Sequence, residues 1–320
     1  MNQRKIDEPV LKQHAGDDDV DNSVNNKKAG VDDTKQQPQR QVRRTRTKSL
    51  ELIIAGWEKE QNEMRAKLVT TNAVDFHLDA VTGEFVGLDY VAGVDVSFYQ
   101  HKADLAGGVD KAAEVNQSAD QTEVAVVCLC VLAYPSLALV HSVTRKVQLA
   151  QPYVSGFLAV REAAAAAAAL EGLADERPDL RARLGVLFVD GNGLLHPRAF
   201  GVACHVGVLL AVPTVGVAKS LLELPADGIT AAAVRRLTAN LAPAHAVPLV
   251  GSVSHTVHAM AVRAGSNAKN PVFVSIGHRI DLDMAIALTK AVSRFRVPEP
   301  IRLADLLGRE FIRKELLSNV

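Results

Sequence analysis

Residues 124–147, VAVVCLCVLAYPSLALVHSVTRKV, decide the fold that we predict for this chain. They contain two apolar runs rich in valine and leucine, Val124 to Ala133 and Leu137 to Val147, separated by Tyr134-Pro135-Ser136. Apolar runs bounded by turn residues are typical of β-strands, and a short connection joins strands that run antiparallel. The stretch therefore predicts a β-hairpin.

On both sides of this hairpin the hydrophobic pattern predicts further strands and helices. From Gly87 to Val96 apolar residues recur with strand spacing, which predicts a first strand at the start of the ordered core. Gly156 to Leu173 contains the alanine run Ala163 to Ala169, and alanine is the strongest helix former. Leu184 to Val189 has the pattern of a buried strand. The remaining predicted elements are a helix at Phe200 to Leu210, a strand at Thr214 to Val217, a helix at Ala231 to Asn240, strands at Val257 to Val262 and Val272 to Ile276, and a helix at Leu282 to Phe295.

The order of these elements is three strands followed by alternating helices and strands. It predicts an α/β protein with a mixed β-sheet flanked by helices, as in folds of the ribonuclease H type, rather than an all-parallel Rossmann sheet. The sequence contains neither a glycine-rich phosphate-binding loop nor an internal repeat. Kinase or ligase chemistry, which would need a nucleotide-binding loop, is therefore disfavoured.

The chain has 320 residues, 48% of them hydrophobic, which suffices for one large domain. Residues 1–50 are mostly polar, so we predict a disordered tail there and a folded domain at 51–320. Basic residues from Arg40 to Lys48 could bind phosphates, act as a nuclear address or form a solvated linker. Gln100 to Thr122 is predicted to be an inserted flexible loop. A predicted amphipathic helix at Leu50 to Leu68 carries the single tryptophan, Trp57, as a core anchor rather than a base-stacking platform.

Charge and cysteine content limit the partners and the compartment. Lys+Arg and Asp+Glu both number 36, so any surface for nucleic acid must be a local patch. The three cysteines lack disulfide spacing, which indicates a reducing compartment. The first residues contain no apolar signal segment, and no uncharged apolar run approaches the roughly 20 residues of a spanning helix. We expect an intracellular protein, in the nucleus or nucleolus and the cytoplasm, without a membrane partner.

Three acidic residues lie where predicted elements end or turn polar. Asp95 is within the first strand, Glu162 is on the first helix after the hairpin, and Asp190 closes the strand that ends at Val189. A carboxylate in an apolar strand is costly unless it is paired or binds a metal. Any one of these residues could be a structural acid with a partner, but all three together favour a functional site.

If the three carboxylates converge, they need a cation. At a separation of about 4 Å and an effective dielectric of 20, each pair would repel by roughly 4 kcal/mol. Hard oxygen ligands favour Mg²⁺, for which Mn²⁺ can substitute, over zinc, whose Cys/His spacing is absent. A bound ion of this type polarises a phosphoryl oxygen and activates water, so phosphodiester hydrolysis is the natural reaction.

Two further residues at predicted strand ends are candidates for the same site. His278, between Gly277 and Arg279, could orient water, hold a metal or transfer a proton, although a lone histidine is usually structural. Lys219, at the end of Val215-Gly216-Val217-Ala218, is a candidate phosphate contact.

Four stretches in order carry a resemblance to a known family: PYVSGFLAVRE at 152–162, DGNGLLHPR at 190–198, GVAK at 216–219 and GHR at 277–279. Together they strongly resemble the endonuclease V family, and the resemblance extends from about Trp57 to Lys314. It implies a ribonuclease H-like fold, which agrees with the element order. It also implies that Asp95, Glu162 and Asp190 are the metal-binding carboxylates.

The resemblance assigns the remaining site residues. It implies that His278 is an active-site histidine and that Lys219 is the lysine of the catalytic region. Tyr153 matches the tyrosine of a strand-separating wedge, and stacking a base on such a ring is worth roughly 1–3 kcal/mol. A tyrosine packed in a turn beside Pro152 is the structural alternative. The resemblance also implies a hypoxanthine pocket formed by Gly156, Leu158, Gly191 and His196.

The implied activity is a metal-dependent endonuclease acting on single-stranded RNA or DNA that contains inosine. It would cut the second phosphodiester bond 3′ to the inosine and leave 3′-hydroxyl and 5′-phosphate ends. Ser155 replaces a proline of the bacterial wedge, so the chain resembles the eukaryotic branch, for which we favour RNA as the substrate. An inosine-binding protein without turnover and a structure-selective nuclease remain alternatives. We expect a monomer.

Overall fold

The structure is a computed structural model that describes residues 37–98, 123–149, 151, 154, 156–265 and 268–316. The chain divides into two compact units, Met1–Glu51 and Leu52–Val320. The second unit contains the β-sheet and most of the helices. Within the described residues, no helix is both long enough and apolar enough to span a membrane.

The helices and strands follow one another in the order that the hydrophobic pattern predicts, with several additions. The strands are β1 (His77–Leu78), β2 (Phe85–Val86), β3 (Tyr90–Phe98), β4 (Glu123–Ala133), β5 (Ala138–Leu149), β6 (Leu184–Asp190), β7 (Thr214–Ala218), β8 (Ala246–Val250), β9 (Val257–Val262) and β10 (Val272–His278). The helices are α1 (Gln37–Arg65), α2 (Leu158–Glu176), α3 (Pro178–Ala182), α4 (Val202–Leu210), α5 (Ala231–Thr238), α6 (Leu282–Ala291) and α7 (Glu299–Phe311), and Ile312–Leu316 continues α7 as one π-helical turn.

Eight of these strands form one sheet in the order β5-β4-β3-β6-β7-β10-β9-β8. β3, β4 and β5 pair antiparallel, whereas β3, β6 and β7 pair parallel to one another. β10, β9 and β8 return to antiparallel pairing. The predicted α/β fold, a mixed sheet flanked by helices, is therefore confirmed.

The strand β4 shows why residues 124–147 determine the arrangement. Its residues from Ala125 to Leu132 are fully buried, because β4 pairs with β3 on one side and β5 on the other while helices cover both faces. One face packs into a core with α6 and α7, and the other packs against α2 and α4. A continuous apolar run fits a strand that is buried on both faces. β5 lies at the edge of the sheet and carries an exposed polar side.

Two predictions about the start of the fold need correction. Helix α1 begins at Gln37, so the last part of the predicted disordered tail is helical; this segment is rich in Gln, Arg and Lys, which are good helix formers. The core also begins before Gly87, because Phe76 and Phe85 are buried and pack edge-to-face on each other. These aromatic residues are too widely spaced for a periodicity argument to detect.

Besides the short strands β1 and β2, three elements were not predicted: α3, β8 and α7. Helix α3 and strand β8 are only five residues long, which is too short for a clear period. Helix α7 has an apolar face, but the prolines at its start, Pro298 and Pro300, suggest a loop to local analysis. Proline is in fact well tolerated in the first turn of a helix. The predicted loop at Gln100 to Thr122 lies outside the described residues.

Candidate active site

The predicted acidic residues meet at one end of the sheet. β3 and β6 run parallel with Val94 opposite Val189, so Asp95 and Asp190 follow side by side, and Asp190 pairs with Val217 of β7. The carboxyl ends of these three strands border an open cavity of about 300 Å³. The cavity is lined by Asp95, Val96, Leu158, Glu162, Asp190, Gly191, Ala218, Lys219 and Ser220.

The surroundings of two of the three carboxyl groups raise their pKa values and so favour the protonated forms. Asp95 is 7% exposed and Glu162, on α2, is 8% exposed. Burial raises the pKa of Asp95 to about 7, and a hydrogen bond with Asp190 and its charge act in the same direction. Burial raises the pKa of Glu162 to about 8, with further contributions from the charges of Asp95 and Asp190. The ionised forms of both carboxyl groups are therefore poorly stabilised by their surroundings.

Lys219 supplies the nearest positive charge. Its Nζ lies 2.6 Å from Oδ2 of Asp190 and 3.9 Å from Oδ1 of Asp95. Burial alone would lower the pKa of this ammonium, but Asp190, Asp95 and, more weakly, Asp305 raise it overall. One ammonium group thus faces three carboxyl groups in the cavity.

The three acids do not form a preassembled metal site. Among the residues that the structure describes, no group of three His, Cys, Asp or Glu side chains is arranged closely enough to bind a single ion. The ammonium of Lys219 instead contacts both aspartates. The carboxylates share a cavity, and a cation entering it would compete with Lys219 for their oxygens.

Backbone packing explains the glycines in the loop that follows Asp190. Gly191 has φ +148°, a conformation that favours glycine, and it lines the cavity. A Cβ on Gly193 would lie 1.9 Å from the carbonyl oxygen of Ile276, so this loop lies directly against β10. Gly193 N–H donates to Ser275 Oγ at 2.8 Å. The loop is therefore rigidly placed beside the acidic residues.

Two of the four residues predicted to form the base pocket line the cavity. Leu158 and Gly191 line the cavity with the acids. His196 donates from Nε2 to the carbonyl oxygen of Gly156 at 2.9 Å, while its Nδ1 accepts from the backbone N–H of Arg198 at 3.2 Å. Burial lowers the pKa of His196 to about 4, which agrees with a neutral ring. Both ring nitrogens are thus used within the protein, so His196 supports the wall that Gly156 belongs to.

The wedge residue Tyr153 lies outside the described residues, as do its neighbours Pro152 and Ser155. The wedge assignment therefore stays a prediction from the sequence.

The structure does not bring His278 to the cavity. β10 runs antiparallel to β7, and His278 pairs with Thr214 at the start of β7, whereas Asp190 pairs with Val217 near its end. Three residues along a strand correspond to about 10 Å, and β10 is also two strands away from β6. The prediction that His278 acts on water or phosphate in this cavity is therefore contradicted by the strand direction, which the sequence does not reveal.

His278 instead makes a hydrogen bond to the segment that follows α1. Its buried ring accepts the backbone N–H of Val69 at Nδ1, 3.2 Å away, and the backbone of Arg279 pairs with Val69 and Ala73. Burial lowers the pKa of His278, and the charge of Arg279 contributes, so the neutral ring required for this acceptor is favoured.

Replacement of His278 is expected to affect stability rather than turnover. His278→Ala removes the acceptor of a backbone N–H and should lower the free energy of unfolding by about 1–3 kcal/mol. His278→Asn, which keeps an acceptor, should lose less. Chemical denaturation and kcat per folded molecule are the measurements. A folded His278→Ala protein that has lost most of its turnover would contradict the structural role.

Sequence reasoning missed three residues around the site. Ser97 donates from Oγ to Oδ2 of Asp95 at 3.0 Å and fixes its orientation. Asp305 of α7 is close enough to raise the pKa of Lys219, but in the sequence it resembles one half of a surface pair with Arg309. Arg296 donates to the backbone carbonyl oxygen of Lys219. The contacts of Asp305 and Arg296 leave no local pattern in the sequence. Ser97 could have been found, because its spacing from Asp95 places both side chains on one strand face.

Comparisons with known proteins show a family relationship. The sequence model of the family described as Endonuclease V matches residues 99–306. Endonuclease V of Mus musculus is 41% identical over 268 residues, covering 83% of this chain and 71% of the mouse protein. Endonuclease V of Homo sapiens is 40% identical over 268 residues, covering 83% and 86%.

Solved structures show the same relationship. The crystal structure of human endonuclease V superposes with a TM-score of 0.68 at 38% identity, covering 82% of this chain and 98% of the human one. Endonuclease V of Ciona intestinalis, solved with a 24mer DNA containing an inosine followed by a ribo-adenosine, has a TM-score of 0.67 at 34% identity, covering 82% and 98%. The fold and these relatives define a hydrolase of the nuclease class. The chain belongs to the endonuclease V family, as its motifs predict.

Proposed function

We propose that this chain is a divalent-metal-dependent endonuclease that recognises inosine in single-stranded RNA or DNA. It hydrolyses the second phosphodiester bond 3′ to the inosine, leaving 3′-hydroxyl and 5′-phosphate ends, and acts as a monomer with a ribonuclease H-like fold. One observation carries the proposal: Asp95, Glu162, Asp190 and Lys219 line a single cavity whose wall includes Leu158 and Gly191. The position of the cut rests on the resemblance to the family.

The donor set fits a hard divalent cation. Asp95, Glu162 and Asp190 would hold the ion through carboxylate oxygens, the ligands that Mg²⁺ and Mn²⁺ prefer. Even with Lys219 beside them, burial and the neighbouring carboxyl groups keep the pKa values of Asp95 and Glu162 raised to about 7 and 8, so their ionised forms lack compensating positive charge. When bound, a divalent cation supplies that charge and stabilises the phosphoryl group during hydrolysis.

The protein's own groups bind and orient the strand. Lys219 remains protonated because its pKa is raised, and its side chain is 34% exposed, so it can leave Asp190 and donate to a phosphate oxygen. Ser97 keeps Asp95 turned towards the cavity. The flipped base enters beside Leu158 and Gly191, where glycine lets the backbone approach the base edge.

RNA is the substrate that we favour. The motif Val154-Ser155-Gly156 resembles the eukaryotic branch, and the Ciona intestinalis relative was solved with a strand in which a ribo-adenosine follows the inosine. A 2′-hydroxyl next to the lesion distinguishes RNA from DNA. These two observations support RNA, with single-stranded DNA as a second substrate.

The test is cleavage of matched strands that differ in one base and one sugar type. Inosine RNA, adenosine RNA, inosine DNA and adenosine DNA are incubated with the same preparation in Mg²⁺, in Mn²⁺ and in EDTA. We expect cuts only in the inosine strands, only with a cation, and with 5′-phosphate on the downstream product. Equal cutting of adenosine strands would exclude inosine recognition, and cutting in EDTA would exclude the metal.

An inosine-binding protein without turnover is a second candidate. It is favoured by the contact of Lys219 with both aspartates, which a cation would have to displace. Multiple turnovers with Mg²⁺ would reject this candidate, whereas retained binding without any cutting would support it. A branched, undamaged strand in the same assay tests for a structure-selective nuclease.

A further inference from the structure

The carbonyl oxygen of Gly156 receives side-chain donors from two distant parts of the chain. His196 Nε2 lies 2.9 Å away, Arg198 Nη2 also donates to this oxygen, and Gln61 Nε2 of α1 lies 3.5 Å away. A carbonyl oxygen has two lone pairs, so these donors satisfy it. The oxygen is therefore not available to accept a hydrogen bond from a substrate base.

Arg198 is the centre of this arrangement. Its Nε donates to Gln61 Oε1 at 2.6 Å, and its guanidinium lies 4.0 Å above the ring of Phe157. The ring of Phe157 in turn contacts Trp57 of α1, with 5.6 Å between ring centroids. Gln61 is 1% exposed and Trp57 is 8% exposed, so this cluster is part of the packed interior.

The cluster holds the residues directly before α2. Gly156 has φ +80°, Phe157 is the N-cap residue of α2 without a side-chain cap, and Leu158 lines the cavity. A helix start without its own cap depends on other contacts for its position. Arg198 supplies them by bonding to Gly156 and stacking on Phe157. The same helix carries Glu162 one turn later.

We propose that Arg198 is a positioning residue for inosine selectivity, acting with Gln61 and Trp57 of α1 to fix the wall from Gly156 to Leu158. The inference rests on the proposed inosine-specific cleavage. It makes α1, which lies before the part of the chain that matches the family sequence model, a component of the substrate site. Lysine cannot replace Arg198, because the bonds to Gly156 and Gln61 and the stacking on Phe157 use the planar fork of a guanidinium.

The first measurement is steady-state kinetics of Arg198→Lys and Arg198→Gln. We expect KM for the inosine strand to rise at least about tenfold and the preference for inosine over adenosine to fall by a similar factor, the effect of one hydrogen bond to a charged group. We expect kcat to change much less than KM. Arg183→Gln is the matched control. Arg198 pairs with Glu58 at 3.8 Å as well as stacking on a ring, and Arg183 makes the same two kinds of contact with Asp89 and Tyr90 at the far end of β3.

The second measurement uses Trp57, the single tryptophan of the chain. In the free protein, Arg198→Gln is expected to shift the tryptophan emission to longer wavelength, while Arg183→Gln leaves it unchanged. In EDTA, binding of an inosine strand should change the emission of the unaltered protein more than an adenosine strand does. Gln61→Met, which removes the acceptor of Arg198 Nε at similar volume, keeps the test open if Arg198→Gln does not fold, and should show the same changes at smaller size.

The outcomes separate this inference from the proposed function. If the unaltered protein cuts inosine strands selectively but folded Arg198→Lys and Gln61→Met keep its KM and preference, the inference is overturned and the function stands. If the unaltered protein shows no preference for inosine, both are overturned. A loss confined to kcat, with KM and preference intact, would also overturn the selectivity role.

Discussion

Asp95→Asn is expected to reduce cleavage of an inosine strand at saturating Mg²⁺ by at least about 100-fold, the order of loss for removing one electrostatic contact in an active site. The amide keeps an acceptor for Ser97 Oγ, so the local packing of β3 is preserved. It removes one of the three carboxyl groups that line the cavity. The decisive quantity is the single-turnover rate, measured with strand binding followed separately.

Asp89→Asn is the matched control for this substitution. Asp89 makes an exposed ion pair with Arg183 outside the cavity, so the same chemical change there should leave cleavage unaltered. Binding of the inosine strand to Asp95→Asn should remain measurable, because the pocket wall is untouched. If purified Asp95→Asn cuts at the rate of the unaltered protein, Asp95 has no role in the reaction.

The largest expected effect on stability is a loss as pH rises from about 6.5 to 8.5 without metal. The pKa of Asp95 is raised to about 7 and that of Glu162 to about 8, mainly by burial. A carboxyl whose pKa is higher in the folded state stabilises the fold while protonated, and this contribution is lost as pH passes through the folded pKa. Over this interval the loss should amount to about 2–3 kcal/mol.

Buried histidines oppose this trend only at lower pH. Burial lowers the pKa values of His196 and His205 to about 4, so their contribution is present above about pH 6.5 and is lost as pH falls. Below pH 6.5 the two trends partly cancel. Above it the change comes mainly from the carboxyl groups, with a small contribution in the same direction from the buried thiols of Cys130 and Cys204, whose pKa values are raised.

Thermal unfolding at pH 6.5 and 8.5, in EDTA and with Mg²⁺ or Mn²⁺, measures the effect. We expect the unaltered protein to melt at lower temperature at pH 8.5 in EDTA and to recover with the cation, because a ligand that binds only the folded state stabilises it. Glu162→Gln should show a smaller decrease in melting temperature at pH 8.5 and a smaller increase when the cation is added. If the melting temperature is the same at both pH values and no cation changes it, buried carboxyl groups with raised pKa values do not control the stability.

The local part of the fold follows from the sequence. The alternation and apolar runs from residue 90 to 149 predict the three antiparallel strands, because side-chain periodicity depends on neighbouring residues alone. The acids also follow from the sequence, since a carboxylate at Asp95 or Asp190 interrupts an apolar strand. Motif order then predicts the family, and the comparisons confirm it.

The direction of each strand and the contacts between distant segments could not be predicted from periodicity. Asp190 and His278 both end apolar strands, yet one lies at the acidic cavity and the other at the opposite end, because β6 is parallel to β3 and β10 is antiparallel to β7. Strand direction depends on pairing between segments that are far apart in the chain. Asp305 was missed for the same reason, since only the packing of α7 on β3 places it near Lys219.

The sequence by itself determined most of the strands and helices, which carboxylates are unusual and which family the motifs match. The tertiary structure alone decided that Lys219 contacts Asp190 and Asp95, that His278 anchors Val69, and that Arg198 links α1 to Gly156. The physical reason is the separation along the chain of the residues that interact. Periodicity and propensity act within a few residues, whereas ion pairs, burial and the pKa shifts that they cause arise between side chains brought together only when the sheet is complete.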